Sequence, residues 1–365
     1  MLKTRISEIF FELLKSGLWG KPILKESLFP LSKEEWNHMY KISINQTVEC
    51  VIYDAIQLLP SIFQPDKSLF IQWMVRVEKH AQRNEQMNIN ILRVVGKMKA
   101  NGIDPMLLKG QGIANCYTNP LRRVCGDVDL CFRTPDVFEK ADALMLANGL
   151  NVKKSAGFSS SYVFNGFEIE HHGRTFDLHN PFIQRYLRSV QEEEFRSNHY
   201  LEMNGRKVRV LSGMQMAIQA NAHILKHLLS FGIGIRQLCD SARIYYHYFE
   251  QIDPAELKKA YKRLGISKWI DVLHVILVKY LGLSPDKLPS ELDSSVHADW
   301  MMEEIMVAGN FGFYNSKYEE IEKDQGGRRV DSGKRIWNNI VQYIPYAPGE
   351  AIWFPIIQFY SRFKR

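Results

Sequence analysis

The stretch CGDVDLCF (residues 125–132) alternates polar and apolar side chains and predicts a short β-strand with two different faces. Because successive side chains of a strand point to opposite sides, we expect Asp127 and Asp129 to project together while the apolar residues face the core. Two neighbouring carboxylates repel each other, and a divalent metal ion is a common way to hold them together. The alternative is a solvated strand end that carries two exposed acids.

A third acid, Asp177, lies in the stretch TFDLHNP, which predicts a further extended segment with its apolar residues on one face. A neighbouring strand there would bring Asp177 beside Asp127 and Asp129. Three carboxylates from two strands can hold two metal ions, Mg²⁺ or Mn²⁺, in the arrangement that supports in-line displacement at phosphorus. Glu170 in FEIEHH is the alternative third carboxylate. Asp177 is preferred for its acid-x-His spacing, with His179.

Candidate phosphate contacts precede the acidic pair. The stretch LLKG ends a predicted strand and opens a turn into a short helix. Backbone N–H groups at such a turn, together with the ammonium group of Lys109, favour the binding of a triphosphate. We therefore expect Lys109 and Gly110 to contact phosphate. Arg122 and Arg123 stand a few residues before the acids and are further candidates.

Together these motifs resemble nucleotidyltransferases of the polymerase-beta type and, more narrowly, an uncharacterised bacterial nucleotidyltransferase family. The family pattern is a Lys-Gly pair, a Tyr, an Arg, Asp-x-Asp and a later acid-x-His, and the resemblance covers about residues 85 to 245. The broader superfamily usually has Gly-Ser on the turn before the acidic strand, where this chain has Lys-Gly-Gln. The matching residues here are Lys109-Gly110, Tyr117, Arg122 or Arg123, Asp127 with Asp129, and Asp177 with His179.

The resemblance implies a metal-dependent enzyme that transfers a nucleotidyl group from an NTP, such as ATP, to an unidentified acceptor and releases pyrophosphate. The cofactor implied is Mg²⁺ or Mn²⁺. The alternative is a catalytically inactive relative that binds a nucleotide or a protein partner. The predicted site residues are Asp127, Asp129 and Asp177 for metal and catalysis, and Lys109, Gly110, Arg122, Arg123, His179 and Arg236 for nucleotide binding.

The other histidines suggest weaker hypotheses. His171 and His172 are adjacent in a predicted strand, so at most one can reach the site, and each is interpreted as a surface or loop residue. His223 and His227 stand four apart on a predicted helix, a spacing that can bind zinc. The HExxH motif, however, needs Glu where this chain has Ile224. Structural or substrate-facing roles are therefore preferred for this pair.

Arg236 and Asp240 also stand four apart on a predicted helix. They can form an ion pair within the helix, or they can contact the nucleotide or the acceptor. The ion pair is the preferred interpretation for Asp240. Both interpretations stay open for Arg236.

The rest of the chain divides by its periodicity. A helical pattern runs from the start to about Gly102 and returns after Ser212, whereas the predicted strands cluster between them. The predicted fold is therefore α+β, a small mixed β-sheet with the nucleotidyltransferase-like core, flanked by helical regions. The predicted regions are 1–102 (helical), 103–211 (α/β core) and 212–365 (helical).

Composition restricts the classes of protein. The chain has 365 residues, of which 45% are hydrophobic and 24% charged, a balance that excludes disordered and collagen-like chains. Its net charge of +7 favours an anionic partner. Nucleic acid is possible but not favoured, because no RRM, zinc-finger or clear helix-turn-helix pattern is present.

Cysteine spacing and hydropathy indicate the compartment. The 5 cysteines are scattered without a CxxC pair, which favours reduced thiols and a cytoplasmic protein. The N-terminal stretch mixes Glu and Lys into its apolar residues, unlike a signal peptide. The most apolar later stretch is too short to cross a bilayer, so no membrane span is expected.

Overall fold

The computed structural model describes residues 4–23, 25–155, 158–230, 232–310 and 332–363. Helices precede the sheet, and their starts follow from local capping. Ser32 and Glu35 form a reciprocal capping box. The Asp66 side chain accepts a hydrogen bond from the Leu69 N–H, and Lys97 and Lys99 lie in the last turn of the same helix, where positive charge is favourable. The helices are α1 (Arg5–Trp19), α2 (Lys33–Asn45), α3 (Glu49–Leu58) and α4 (Lys67–Ala100).

Among the described residues, seven strands form one mixed sheet in the order β3-β4-β5-β2-β1-β7-β6. The central strand β2 pairs antiparallel with β1 and parallel with β5. The strand β7 adds parallel to the other side of β1. Hairpins extend both edges. The strands are β1 (Met106–Leu108), β2 (Val128–Cys131), β3 (Lys153–Ser155), β4 (Ser159–Phe164), β5 (Phe167–His172), β6 (Tyr200–Met203) and β7 (Arg206–Arg209).

The two faces of the sheet have different environments. One face packs on α6 (Pro135–Ala147), where His171 is fully buried between Asp142 and Tyr162. The other face points toward α8 (Gly213–Ser230) and carries the acidic side chains. The helices within and after the sheet are α5 (Lys109–Ala114), α6 (Pro135–Ala147), α7 (Gln184–Arg196), α8 (Gly213–Ser230), α9 (Ile235–His247), α10 (Pro254–Leu264), α11 (Ser267–Lys279), α12 (Asp299–Ala308), α13 (Ser332–Tyr343) and α14 (Pro348–Phe363).

The predicted α+β class is confirmed, with helices before and after a mixed sheet. The strand predicted over residues 175–181 is wrong: this segment has no regular secondary structure through Asn180 and continues into a 3₁₀ turn that begins at Pro181. The strands β3 and β6 and the helix α7 were not predicted. The region boundaries at 102 and 211 stay predictions.

A single hydrophobic core joins the helical flanks to the sheet, from Ile9 in α1 to Phe354 in α14. Polar contacts also cross the chain. The Trp19 indole donates to the Leu281 carbonyl at 2.6 Å, and the Gln46 amide donates to the Ile305 carbonyl at 3.1 Å. All five cysteines are buried and free. In the part of the chain that is described, no helix is both long and apolar enough to cross a membrane.

Candidate active site

The register between β2 and β5 brings the acids together. Asp129 lies directly beside Glu170 in the parallel pairing, and His172 follows Glu170 by two residues on the same face. The His172 Nε2 atom lies 2.7 Å from Asp129 Oδ1 and 3.4 Å from Glu170 Oε2. Asp127 precedes β2 and projects into the same cavity. The prediction that at most one of His171 and His172 reaches this face is confirmed, but the surface or loop interpretation is wrong, since His171 is fully buried.

A tight turn places Lys109 in the centre of the acidic cluster. Leu108, its neighbour, pairs with Asp129 across β1 and β2, so the turn starts beside the acids. The Lys109 Nζ atom lies 3.2 Å from Asp129 Oδ1 and 3.8 Å from Asp177 Oδ2. Lys109 and Gly110 have φ of 35° and 39°. A Cβ atom on Gly110 would lie 3.3 Å from the Asp127 carbonyl oxygen, so glycine meets both the backbone angle and the close approach.

The charges in this cluster depend on one another. Burial opposes charge on Asp129, but Lys109 and the hydrogen bond from His172 outweigh it and lower the pKa of Asp129. Repulsion from Asp129, and then burial, raise the pKa of Asp127. Burial would lower the pKa of His172, but its hydrogen bonds to Asp129 and Glu170 raise it to about 9. Asp127 is therefore charged against the repulsion of Asp129, and a divalent cation bound beside the two acids would relieve that repulsion.

Asp177 lies on the other side of Lys109, on the irregular segment after β5. Its Oδ2 atom accepts a hydrogen bond from His223 Nδ1 at 2.8 Å, and its Oδ1 atom lies 3.2 Å from Lys226 Nζ. Burial opposes its charge, but Lys226 and Lys109 lower the pKa of Asp177 well below the usual range. Burial, with Lys109, lowers the pKa of His223 to about 4. The His223 ring also packs edge-to-face on His227, with 4.3 Å between centroids.

One cavity of about 330 Å³ lies between the sheet and the helices α8 and α9, and the side chains of the acidic cluster and of α8 described above border it, whereas that of Asp177 does not. Its cationic lining includes Lys109, Lys226 and Arg236. The Arg236 guanidinium donates to the Val124 carbonyl. The ion pair predicted between Arg236 and Asp240 is not found among the described contacts, because Asp240 accepts instead from Arg123.

The Arg123–Asp240 pair forms a buried wall of the cavity. The guanidinium donates to both carboxylate oxygens, at 2.7 Å and 2.6 Å, and both residues are at most 5% exposed. The Tyr117 hydroxyl donates to the same carboxylate at 2.7 Å. Asn84 of α4 fixes the preceding turn by donating to the carbonyls of Leu121 and Arg123, each at 2.7 Å. The family-pattern residues Tyr117 and Arg123 thus meet at Asp240.

Two predicted nucleotide contacts lie elsewhere in the described structure. The Arg122 guanidinium pairs with Asp54 and donates to the Gln57 side chain at 3.1 Å. The His179 ring lies 3.7 Å from a Glu350 carboxylate oxygen. Neither residue is among the described residues that line the cavity. The predicted residues that do line it are Asp127, Asp129, Lys109, Gly110, Arg123 and Arg236.

The sequence patterns did not indicate that His172 and Lys226 would lie at this cavity. His172 stands two residues after Glu170, so the strand period that was applied to the aspartates would also have placed it beside Glu170. Lys226 shows no sequence motif, and only the packing of α8 on the sheet brings it to Asp177.

One group of residues in the described structure has the chemistry to hold a metal ion. Asp129, Glu170 and His172 each offer one donor atom, and these atoms lie within 4.8 Å of one another. Two carboxylate oxygens and an imidazole nitrogen are ordinary ligands of divalent metals. The donor set therefore fits a divalent cation that displaces the proton from the His172 imidazole.

Comparisons with known proteins find one family and one solved structure to which this chain is similar. A family described as "Uncharacterised nucleotidyltransferase" matches residues 32–282. The crystal structure of an antigenic nucleotidyltransferase-like protein from Paracoccidioides brasiliensis is similar over 57% of this chain and 95% of that chain, with 17% identity and a TM-score of 0.37. Comparison with curated protein sequences finds no match.

Proposed function

The chain belongs to the family of uncharacterised nucleotidyltransferases, and on that premise we propose that it transfers a nucleotidyl group from a nucleoside triphosphate to an acceptor. The observation that carries the proposal is the convergence of Asp127, Asp129 and Glu170 on one cavity with Lys109 between the acids and the helices. The Lys109 ammonium group can contact phosphate, and the acids around it can bind a metal ion. This arrangement suits a substrate that arrives as a metal–triphosphate complex.

Asp127, Asp129 and Glu170 would hold the metal, with His172 next to them. A divalent ion bound there would supply positive charge to the transferred phosphoryl group and to the leaving pyrophosphate. The repulsion that raises the pKa of Asp127 supports this assignment, since a cation relieves it.

Three cationic side chains are proposed to bind the phosphates: Lys109, Lys226 and Arg236. All three line the cavity, and the turn at Lys109-Gly110 leaves its backbone close to the acids. Arg123 is proposed to shape the wall, because Asp240 already occupies its guanidinium group. Arg122 and His179 do not line the cavity and are left out of the proposed phosphate site.

The proposed reaction is a displacement at the α-phosphorus. The acceptor atom forms a bond to this phosphorus, the bond to the oxygen bridging to the β-phosphate breaks, and pyrophosphate leaves as the acceptor loses its proton to solvent. The chain's own contribution is to align the triphosphate with its cations and to keep the acids ionised in a largely buried site.

The third carboxylate is assigned by contacts. Glu170 is in register with Asp129, whereas Asp177 has its two oxygens engaged by His223 and Lys226. We therefore propose Glu170 as the metal ligand and Asp177 as the residue that positions Lys109 and Lys226. Glu170→Gln should weaken Mn²⁺ binding about tenfold or more, and Asp177→Asn should weaken it less. Equal losses would favour the original assignment of Asp177.

The direct test measures transfer of label from each of the four α-³²P-labelled NTPs to acceptors in a cell extract, together with pyrophosphate release. Asp127→Asn and Asp129→Asn should each abolish transfer while the protein stays folded. The matched control is Asp286→Asn, an exposed acid outside the cavity, which should transfer label like the wild type.

The outcomes separate the two hypotheses. Transfer that survives both aspartate substitutions contradicts the proposed site. Tight NTP binding without transfer or pyrophosphate release, over all four nucleotides, supports the inactive nucleotide-binding alternative instead.

A further inference from the structure

Three donor atoms converge on one point of the acidic cavity, and one of them is nitrogen. Asp129 and Glu170 face each other across the paired strands β2 and β5. His172 lies two residues along β5, so its ring falls on the same face by the period of the strand. The three donor atoms lie within 4.8 Å of one another.

The imidazole is held toward the two acids. Its Nε2 atom lies 2.7 Å from Asp129 Oδ1, the same oxygen that Lys109 approaches at 3.2 Å. The side chains of His172 and Asp129 are 15% and 4% exposed, whereas that of Glu170 is 36% exposed, so an ion can enter the cluster from the side of Glu170. A cation bound to Asp129 and Glu170 would lie beside the His172 Nε2 atom, and on binding this nitrogen it would release to solvent the proton that Nε2 donates to Asp129.

Ligand type distinguishes metal ions. Mg²⁺ takes oxygen ligands and gives up its waters reluctantly, whereas imidazole suits first-row transition metals. The ratio of transition-metal affinity to Mg²⁺ affinity is therefore higher for two carboxylates and one imidazole than for three carboxylates.

We infer that His172 is a ligand of the catalytic metal and that it makes the site select a divalent transition-metal ion over Mg²⁺. The catalytic role of this metal rests on the proposed function. The binding of the ion to His172 requires neither NTP nor turnover. Its rival is a His172 that only donates a hydrogen bond to orient Asp129.

The test loads the full-length protein with Mn²⁺ in the absence of nucleotide. Electron spin-echo envelope modulation should detect coupling to an imidazole ¹⁴N in the wild type. The coupling should persist in His247→Asn, an exposed histidine outside the cavity, and in His223→Asn, a histidine inside it. It should vanish in His172→Gln.

Competition titrations give a second readout. His172→Gln should lower Mn²⁺ affinity about tenfold or more. His172→Asp, which makes the donor set all oxygen, should lower the ratio of Mn²⁺ to Mg²⁺ affinity about tenfold. The wild-type spectrum keeps the test decisive even if a variant fails to fold.

Two results would overturn the inference: a wild-type spectrum without ¹⁴N coupling, or coupling that is lost in His223→Asn and kept in His172→Gln. Imidazole ligation in a protein that transfers no nucleotidyl group would leave the inference on His172 standing and refute the proposed function. Nucleotidyl transfer by a protein whose metal ion has only oxygen ligands would refute the inference on His172 and leave the proposed function standing.

Discussion

The buried Arg123–Asp240 pair is the contact on which a single substitution should have the largest effect. Asp240→Asn leaves a guanidinium buried without its counter-charge, and we expect the free energy of unfolding to fall by about 3 to 5 kcal/mol. Urea unfolding followed by circular dichroism measures it. The exposed Asp286→Asn should change stability by no more than about 0.5 kcal/mol.

A double substitution distinguishes a charge effect from a packing effect. Replacing both partners with apolar residues, Arg123→Met with Asp240→Leu, removes the unpaired charge and should recover most of the lost stability. The Tyr117 hydroxyl would then lose its acceptor, so recovery should improve when Tyr117→Phe is added. A double variant as unstable as Asp240→Asn would contradict this account.

Individual site residues were predictable from sequence where one strand carries them. The alternation in CGDVDLCF places Asp127 and Asp129 on one face, and the turn after β1 brings Lys109 and Gly110 to the same cavity. That Glu170 lies beside Asp129 depends on the register between β2 and β5, and that register is a property of two distant strands. The assignment of Asp177 from its acid-x-His spacing had no access to that information.

Two helical glycines differ in the space that is available for a side chain. A Cβ atom on Gly17 of α1 would lie 1.8 Å from the Val51 carbonyl oxygen of α3, whereas Gly96 of α4 has nothing within 4 Å. We expect Gly17→Ala to push the helices apart and to destabilise the protein by about 1 to 3 kcal/mol. Gly96→Ala should stabilise it by about 0.5 to 1 kcal/mol, because alanine loses less backbone freedom in a helix. Thermal unfolding of both variants checks the pair, and equal shifts would contradict it.

The start of α14 holds the segment that carries Asp177. The two oxygens of the buried Glu350 carboxylate accept the backbone N–H groups of His179 and Asn180, at 2.7 Å and 2.9 Å. Glu350→Gln can keep only one of these acceptors and has no charge. We expect faster hydrogen exchange at the two amides, with a stability loss of about 1 to 3 kcal/mol. The control is Glu303→Gln, an exposed position in α12, which should leave the exchange unchanged. Unchanged exchange in Glu350→Gln would refute the role of the Glu350 carboxylate in fixing this backbone.

The secondary structure was predicted well where segments are long or strongly periodic, as in α1, α4, α8 and β5. The missed strands β3 and β6 are three and four residues long. All of β3 is exposed, and β6 turns only Leu201 and Met203 toward the core, which is too short a run to show a period in the sequence. The segment at 175–181 reads as a strand because Phe176 and Leu178 alternate with polar residues. Both apolar side chains are indeed buried, but no neighbouring strand pairs with the segment in the described structure.

A buried histidine makes the stability of the entire chain depend on pH. His274 in α11 is 2% exposed, its Nε2 atom lies 3.0 Å from the Tyr245 hydroxyl, and burial lowers its pKa to about 3. An unfolded histidine titrates near pH 6.5, so between these values the unfolded chain binds one more proton than the folded chain. The stability is therefore fully present above pH 6.5 and falls as the pH falls toward 3.

The expected loss from this histidine between pH 6.5 and pH 5 is about 2 kcal/mol. His274→Gln cannot take up the proton, so the slope of unfolding free energy against pH should decrease by about one proton in this window. Urea unfolding at pH 7, 6 and 5 measures both slopes. Identical slopes in the variant and the wild type would contradict the assignment.

The hydrogen bond from the His179 N–H to the Glu350 carboxylate also has a consequence during synthesis on the ribosome. Its partners are 171 residues apart in the chain. At about 5 to 20 residues per second, translation needs about 10 to 30 s to deliver the glutamate after the histidine. During this interval the segment with Asp177 lacks the Glu350 carboxylate that accepts its backbone N–H groups. A ribosome that stalls before α14 would therefore expose a chain in which the segment that contacts Lys109 and Lys226 is not yet fixed, and chaperones would bind the protein in that state.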